Sequence, residues 1–194
     1  DATTHPSEGL TNERLFGWHA ALFPTGHSGI QKIAVGRWRD GPIRVVSGRV
    51  GAEQVHFEGP PAWRVADEMG SFMAWWASSA STAPAIRAGV AHVWFETIHP
   101  FEDGNGRIGR AIADRALAAD SGRRAFSLSE QILADRRAYY AALKQAQAGG
   151  LDATPWLLWF MDCMQRAIAT SRRHVEAAFR RMKLRHHVAA AGLN

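Results

Sequence analysis

The sequence predicts an all-α domain with one small β-hairpin laid over it as a flap, and three observations carry that reading. Apolar residues recur at helical spacing through most of the 194 residues. Residues that start helices stand just ahead of several of those stripes. One stretch alone, residues 36–61, departs from the pattern, with many glycines and prolines around short β-prone pieces.

The elements follow in order. Thr11 can cap a helix that puts Leu15, Trp18, His19 and Leu22 on one face. In residues 36–61, Ile43–Val46 and Val55–Phe57 read as two strands around a loop bearing Gly48 and Gly51. A lone hairpin is marginally stable, so it should pack on the helices as a flap. After Pro60-Pro61, Val65, Met69, Phe72, Met73 and Trp76 mark the next helix. Pro84 suits a first helical position, and Ile86, Val90, Val93 and Trp94 then form a stripe. Asn105 to about Ala119 reads as a helix with Ile108, Ile112 and Ala116 inward. Ser127-Leu128-Ser129-Glu130 has the form of a capping box. It opens a single helix carrying Ile132, Tyr139 and Leu143 that stops at Gly149-Gly150. Thr154-Pro155 starts the last and longest helix, with Trp156, Phe160, Met164 and Ile168 as its stripe. No internal repeat or linker divides the chain, so one domain over 1–194 is expected.

Composition narrows the function classes. With 46% apolar and 21% charged residues and eight Trp, the chain should fold rather than stay disordered. No apolar run reaches the roughly 18–20 residues of a membrane span. The first residues, Asp1 to Pro6, lack the basic and apolar regions of a signal peptide, so a cytoplasmic location is expected. The single cysteine, Cys163, excludes an internal disulfide and any multi-cysteine zinc site. The net charge of +5 invites a nucleic-acid reading. Much of the excess, however, is Arg172, Arg173, Arg180, Arg181, Lys183 and Arg185, which read as the solvated end of a long helix. No zinc-finger spacing or aromatic RNA-binding signature accompanies it, so neither nucleic acid nor membrane is expected as a partner.

The informative stretch runs from His99 to Arg110, HPFEDGNGRIGR. Pro100 pushes His99 out of the helical region, placing a titratable group at the mouth of a turn. Gly104 and Gly106 around Asn105 suit a backbone that approaches something closely, with several N–H groups aimed one way. The turn leads into a helix N-terminus, which favours anions. Arg107 and Arg110, at i and i+3, project from the first helical turns toward the same region. Asp103 offers the hard oxygen that Mg²⁺ takes beside substrate phosphates. These parts within twelve residues describe a nucleotide site with chemistry attached.

The run resembles, position by position, the signature HPFx[D/E]GNGRxxR of Fic proteins. Leu10–Gly26, His56–Pro61, Ala91–Phe95, Tyr139-Tyr140 and Asp152–Trp156 extend the resemblance over nearly the whole chain. It implies an α-helical fold with a β-hairpin flap and the transfer of AMP from ATP, with Mg²⁺, to a Tyr, Thr or Ser hydroxyl of a protein. By motif position, His99 would be the general base and Phe101 the apolar anchor of the loop. Asp103 would hold Mg²⁺. The amides of Gly104, Asn105 and Gly106, with the Asn105 side chain, would cradle the phosphates. Arg107 would meet the β-phosphate and Arg110 the γ-phosphate, and Tyr139 and Tyr140 would line the adenine pocket. An extended target segment could add as a strand beside the flap, against Ile43, Arg44, Val45, Val46, Val55, His56 and Phe57. The reading leaves self-modification and a homodimer open.

Other transfers on the same frame, of phosphate, phosphocholine or UMP, are the alternatives within enzymes. A silent nucleotide-sensing or nucleic-acid-binding regulator is the alternative outside them. Gly106 and Arg110 favour AMP over phosphate, and His99 favours an enzyme over a sensor. Many relatives carry an inhibitory helix with the motif [S/T]xxxE[G/N]. Thr4 to Gly9 matches it, but Pro6 disfavours a helical turn there. The inhibitory helix is therefore expected upstream of Asp1, and a small C-terminal domain beyond Asn194.

Overall fold

The computed structural model describes residues 2–5, 8–49, 52–121, 126–150 and 152–190. Helix α1 spans Asn12–Leu22, and the Thr11 hydroxyl accepts the Arg14 N–H at 3.2 Å, as its capping role requires. Two short antiparallel strands follow, β1 (His27–Ser28) and β2 (Gln31–Lys32). The flap is β3 (Arg44–Arg49) paired with β4 (Ala52–Glu58). Its register shifts between Val45 and Val46, which are opposite Phe57 and Val55, so His56 bulges out of the ladder. A 3₁₀ turn at Ala62–Arg64 leads into α2 (Val65–Ser78). Then come α3 (Pro84–Ile98), α4 (Asn105–Ser121), α5 (Leu128–Ala134), α6 (Arg136–Ala148) and α7 (Thr154–Ala190).

Helix α3 is the axis of the domain, packed against α2, α4, α6 and α7. Its surroundings explain why its buried set, including Ala88, Ala91, His92, Phe95 and Glu96, wraps more than one face. The stripe expected from Ile86, Val90, Val93 and Trp94 is therefore not the deepest face: Ile86 is 38% exposed. The core joins Leu15, Met69, Phe72, Phe95, Phe101, Ile108, Ile112, Trp156 and Phe160. Trp156 donates its ring N–H to the Gly89 carbonyl at 2.8 Å, tying α7 to α3.

Two expectations about elements need correction. The single helix read after Ser127 is two helices, broken at Asp135 (φ −102°, ψ 25°). There the Asp135 carboxylate takes the Gln131 amide at 2.6 Å and the Arg166 guanidinium of α7 at 3.1 Å. Ser127 does cap α5, accepting the Glu130 N–H at 3.2 Å. In α7, Ile168 is 45% exposed, and the half beyond it, with Phe179 and Met182, has no core beneath it. The late arginines stand on this exposed half, where Arg172 and Arg180 both reach Glu176. No helix among the described residues is long and apolar enough to cross a membrane.

Candidate active site

Pro100 and a buried arginine set the site's backbone. Helix α3 ends at Ile98, and His99 takes φ 50° and ψ 59°, the left-handed region. Among the described residues it is the single non-glycine with positive φ. That conformation costs on the order of 1 kcal/mol and persists where neighbours enforce it. Arg39 is the enforcer. Its Nε donates to the His99 carbonyl at 2.7 Å, Nη1 to Gly41 at 2.8 Å and Nη2 to Pro60 at 2.6 Å. Its own N–H donates to the Pro100 carbonyl at 2.9 Å. One buried cation thus ties the His99 loop to both ends of the flap.

The loop after Pro100 is locked by side chains. Phe101 is fully buried and stacks on His19, with ring centroids 4.1 Å apart, while Trp38 lies 5.0 Å away. His19 Nδ1 accepts the Gly36 N–H at 3.1 Å, so its proton must sit on Nε2, which donates to the Asp103 carbonyl at 3.1 Å. Burial lowers the affinity of His19 for a second proton. Asn105 accepts the Phe101 N–H at 2.9 Å and donates to the Phe101 carbonyl at 2.8 Å. The Asn105 side chain thereby shapes the loop through the Phe101 backbone. Gly104 has φ 84°, and a Cβ there would fall 2.9 Å from the Phe23 ring, so a side chain is excluded twice over. Its N–H donates to Asp103 Oδ1 at 2.5 Å. Asn105 and Gly106, the first residues of α4, keep amides without an intrahelical acceptor.

A cleft of about 370 Å³ opens between flap, loop and α6. It brings together His99, Asp103, Asn105, Gly106, Arg110, Tyr139 and Tyr140 with Ile43, Arg44, Val45, Val46 and Phe57. Phe57 overlooks His99, their ring centroids 6.4 Å apart. Arg107 and Val55 are not among the lining residues. Arg107 instead lies over the Phe23 ring at 4.6 Å with a nitrogen 3.8 Å from Asp103. The side chain of His56 lies outside the described residues. Tyr139 is buried, its hydroxyl 2.9 Å from His92 Nε2, whereas Tyr140 is half exposed at the rim. His99 Nδ1 lies 3.1 Å from the Glu96 carbonyl, which can only accept. The ring therefore carries its proton on Nδ1 and keeps the Nε2 lone pair. Burial, then the Arg39 charge, lowers its proton affinity, against the Glu96 carbonyl and Asp103, which raise it.

Asp103 suits a metal that shares its ligands with a phosphate substrate. Its side chain is 46% exposed at the cleft, held by the Ser28 hydroxyl and the Gly104 N–H. No cluster of three or more His, Cys, Asp or Glu able to hold an ion by themselves exists among the described residues. A single carboxylate beside an anion-binding helix start fits Mg²⁺ with phosphate oxygens and waters.

Several functional groups escaped sequence reasoning. Arg39 and Ser28 meet partners 60 and 75 residues away, His99 and Asp103, and Glu96 faces Gly109 of the neighbouring α4. Glu102 also lines the cleft and accepts the Ala34 N–H at 2.9 Å. The one legible signal was Glu96 itself, an acid in an otherwise apolar helix end three residues before His99.

Comparison with known proteins settles the family. The sequence profile of the Fic/DOC family matches residues 9–117, more than half of the chain. The protein belongs to the Fic/DOC family. A protein of Aquifex aeolicus (strain VF5) named "Probable protein adenylyltransferase" is 30% identical over 95 residues, covering 49% of this chain and 28% of that protein. A Fic family protein from Desulfovibrio desulfuricans G20 superposes with a TM-score of 0.70 at 26% identity, over 92% of this chain and 49% of the other. A Fic domain containing signaling protein from Bacteroides thetaiotaomicron VPI-5482 shares the fold, with a TM-score of 0.69 at 20% identity over 88% of this chain and 65% of its own. The chain thus spans 28% of the Aquifex protein's length and 49% of the Desulfovibrio protein's. The Fic fold, helical with a small antiparallel pair, is as expected.

The one inhibitory-motif match can be placed in this Fic domain. Glu8 pairs with Arg14 at 2.8 Å on the surface. Pro6 and Ser7 lie outside the described residues. Thr4 sits in a turn and not in a helix.

Proposed function

We propose that this Fic domain transfers AMP from ATP to a hydroxyl side chain of a protein, releasing pyrophosphate. The observation that carries the reading is His99. It is held left-handed at the cleft mouth, with Nδ1 engaged by the Glu96 carbonyl and the Nε2 lone pair left to accept a proton. A binder of nucleotide has no use for that arrangement.

In the reaction, the acceptor oxygen attacks the α-phosphorus and its proton passes to His99 Nε2. The new O–P bond forms as the bond to the β-phosphate's bridging oxygen breaks, and pyrophosphate leaves. Mg²⁺ held by Asp103 would neutralise phosphate charge. The Asn105 and Gly106 amides face the phosphates at the start of α4, where the helix dipole favours anions. Arg110, on the cleft wall, meets the terminal phosphate with its planar fork. Phe57 and the exposed edge of Val45–Val46 would align an extended target segment over His99. Catalysis here is positioning and charge stabilisation. The support from relatives is the adenylyltransferase name of the Aquifex protein.

Parallel incubations with α-labelled and γ-labelled ATP test this. Label in protein from the α position alone is expected. Label from the γ position alone would mean phosphate transfer, and label from neither would mean a binding module.

A further inference from the structure

Glu96 stands in the last turn of α3, one helical turn before the base, and is 6% exposed in the floor of the cleft. Its Oε2 lies 3.9 Å from His99 Nδ1, too far for a hydrogen bond but close for a charge pair. Its Oε1 has no hydrogen-bond partner among the described residues. That oxygen faces α4 at Gly109, where a Cβ would fall 2.9 Å from it. A buried carboxyl with an unpartnered oxygen is costly, and such a group persists where another state of the site uses it.

The groups around the pair are few. Glu96 faces His92 and His99 of its own helix, Arg110 of α4 and Tyr139 of α6. His99 faces Arg39 and, across the loop, Asp103. Arg39 opposes a positive imidazole, and the deeper, better enclosed anion beside Nδ1 is Glu96.

We infer that Glu96 is a positioning residue whose carboxylate is the counter-charge for the His99 imidazolium formed when the base takes the acceptor's proton. The inference rests on the transfer chemistry proposed above. No proton moves to Glu96. The acceptor proton ends on Nε2, Nδ1–H stays on the Glu96 carbonyl, and the ring's new charge is met 3.9 Å away. An opposite charge at that range strengthens proton binding by roughly 10–1,000-fold. Burial pushes Glu96 up to about 7, with Arg110 pulling the other way, so the counter-charge is present above neutrality and fades below it. Transfer should therefore rise with pH through about 7 because of Glu96.

The test is NMR titration of the His99 ring in the full chain without nucleotide, the signal assigned by its loss in His99→Gln. In Glu96→Gln, His99 should bind its proton about tenfold more weakly, and the rise of transfer near neutral pH should vanish. Glu96→Asp should fall between. An unchanged His99 titration in folded Glu96→Gln overturns the inference. If that variant does not fold, the reciprocal titration decides: the Glu96 carboxyl carbon should hold its proton to higher pH in His99→Gln than in the wild type. No difference there overturns it equally. Coupling without label in protein would sink the transfer reading alone, and label without coupling would sink this inference alone.

Discussion

Arg39 and His99 are joined by one hydrogen bond of 2.7 Å from the guanidinium Nε to the carbonyl of the base. Since the same guanidinium holds Gly41 and Pro60, flap and base cannot shift independently. Arg39→Lys keeps the charge and loses the fork, and one ammonium cannot span those carbonyls. Unfolding free energy should fall by about 2–3 kcal/mol in a denaturant titration. Transfer should fall further than ATP affinity. A wild-type midpoint would show that the clasp is incidental.

His99→Ala should lower transfer about 10²–10⁴-fold while leaving ATP affinity nearly intact, because the base meets the hydroxyl and not the phosphates. Calorimetric ATP binding beside labelling rates separates the two effects. Equal losses in both would argue against a base.

Asn105→Ala separates loop shaping from phosphate contact. Both of its bonds are to the Phe101 backbone in a buried setting, so stability without nucleotide should drop by about 2–3 kcal/mol. A protein with unchanged melting and weakened ATP binding would point instead to a phosphate contact of the Asn105 side chain.

Regulation can be tested at Glu8 and Arg110. Glu8 is paired with Arg14, so Glu8→Gly should change self-labelling little. Arg110→Ala should reduce it if Arg110, which lines the cleft, holds the terminal phosphate as proposed. A large rise on Glu8→Gly alone would place the brake within this segment.

Stability should depend on pH through two buried groups of opposite sign. Glu96 folds with its affinity raised from 4.5 to about 7, so its contribution is fully present below pH 4.5 and is lost as pH rises to 7. His92 folds with its affinity lowered by burial from 6.5 to about 4, so its contribution is present above pH 6.5 and lost on acidification to 4. Between pH 4.5 and 6.5 the two slopes oppose each other. Glu96→Gln should leave the His92 slope exposed, making stability climb with pH across that window. A denaturation series at several pH values reads the change.

What was legible in the sequence was local. Thr11 and Ser127 cap as their chemistry dictates, and Pro84 opens α3. The HPFEDGNGR run announces its loop because each residue type answers to backbone within a few positions. What stayed hidden depended on distant partners. The break at Asp135 needs Arg166 of α7. The small hairpin His27–Lys32 has little periodicity to show, yet its Ser28 holds Asp103. Arg39 reads as a surface arginine until the fold closes around it. The late stripe of α7 carries apolar spacing with nothing packed against it, and spacing alone cannot report that.

The Asn105 clamp on Phe101 has a consequence for how fast a ligand is held. The bonds that shape the loop opening α4 lie within the chain itself, so under the proposed transfer an arriving phosphate would meet amides already held in place. Little chain ordering accompanies capture, and the entropic penalty common to flexible phosphate loops is largely absent. Association should then be limited by diffusion and by passage beneath the flap, with single-step kinetics and a small heat-capacity change.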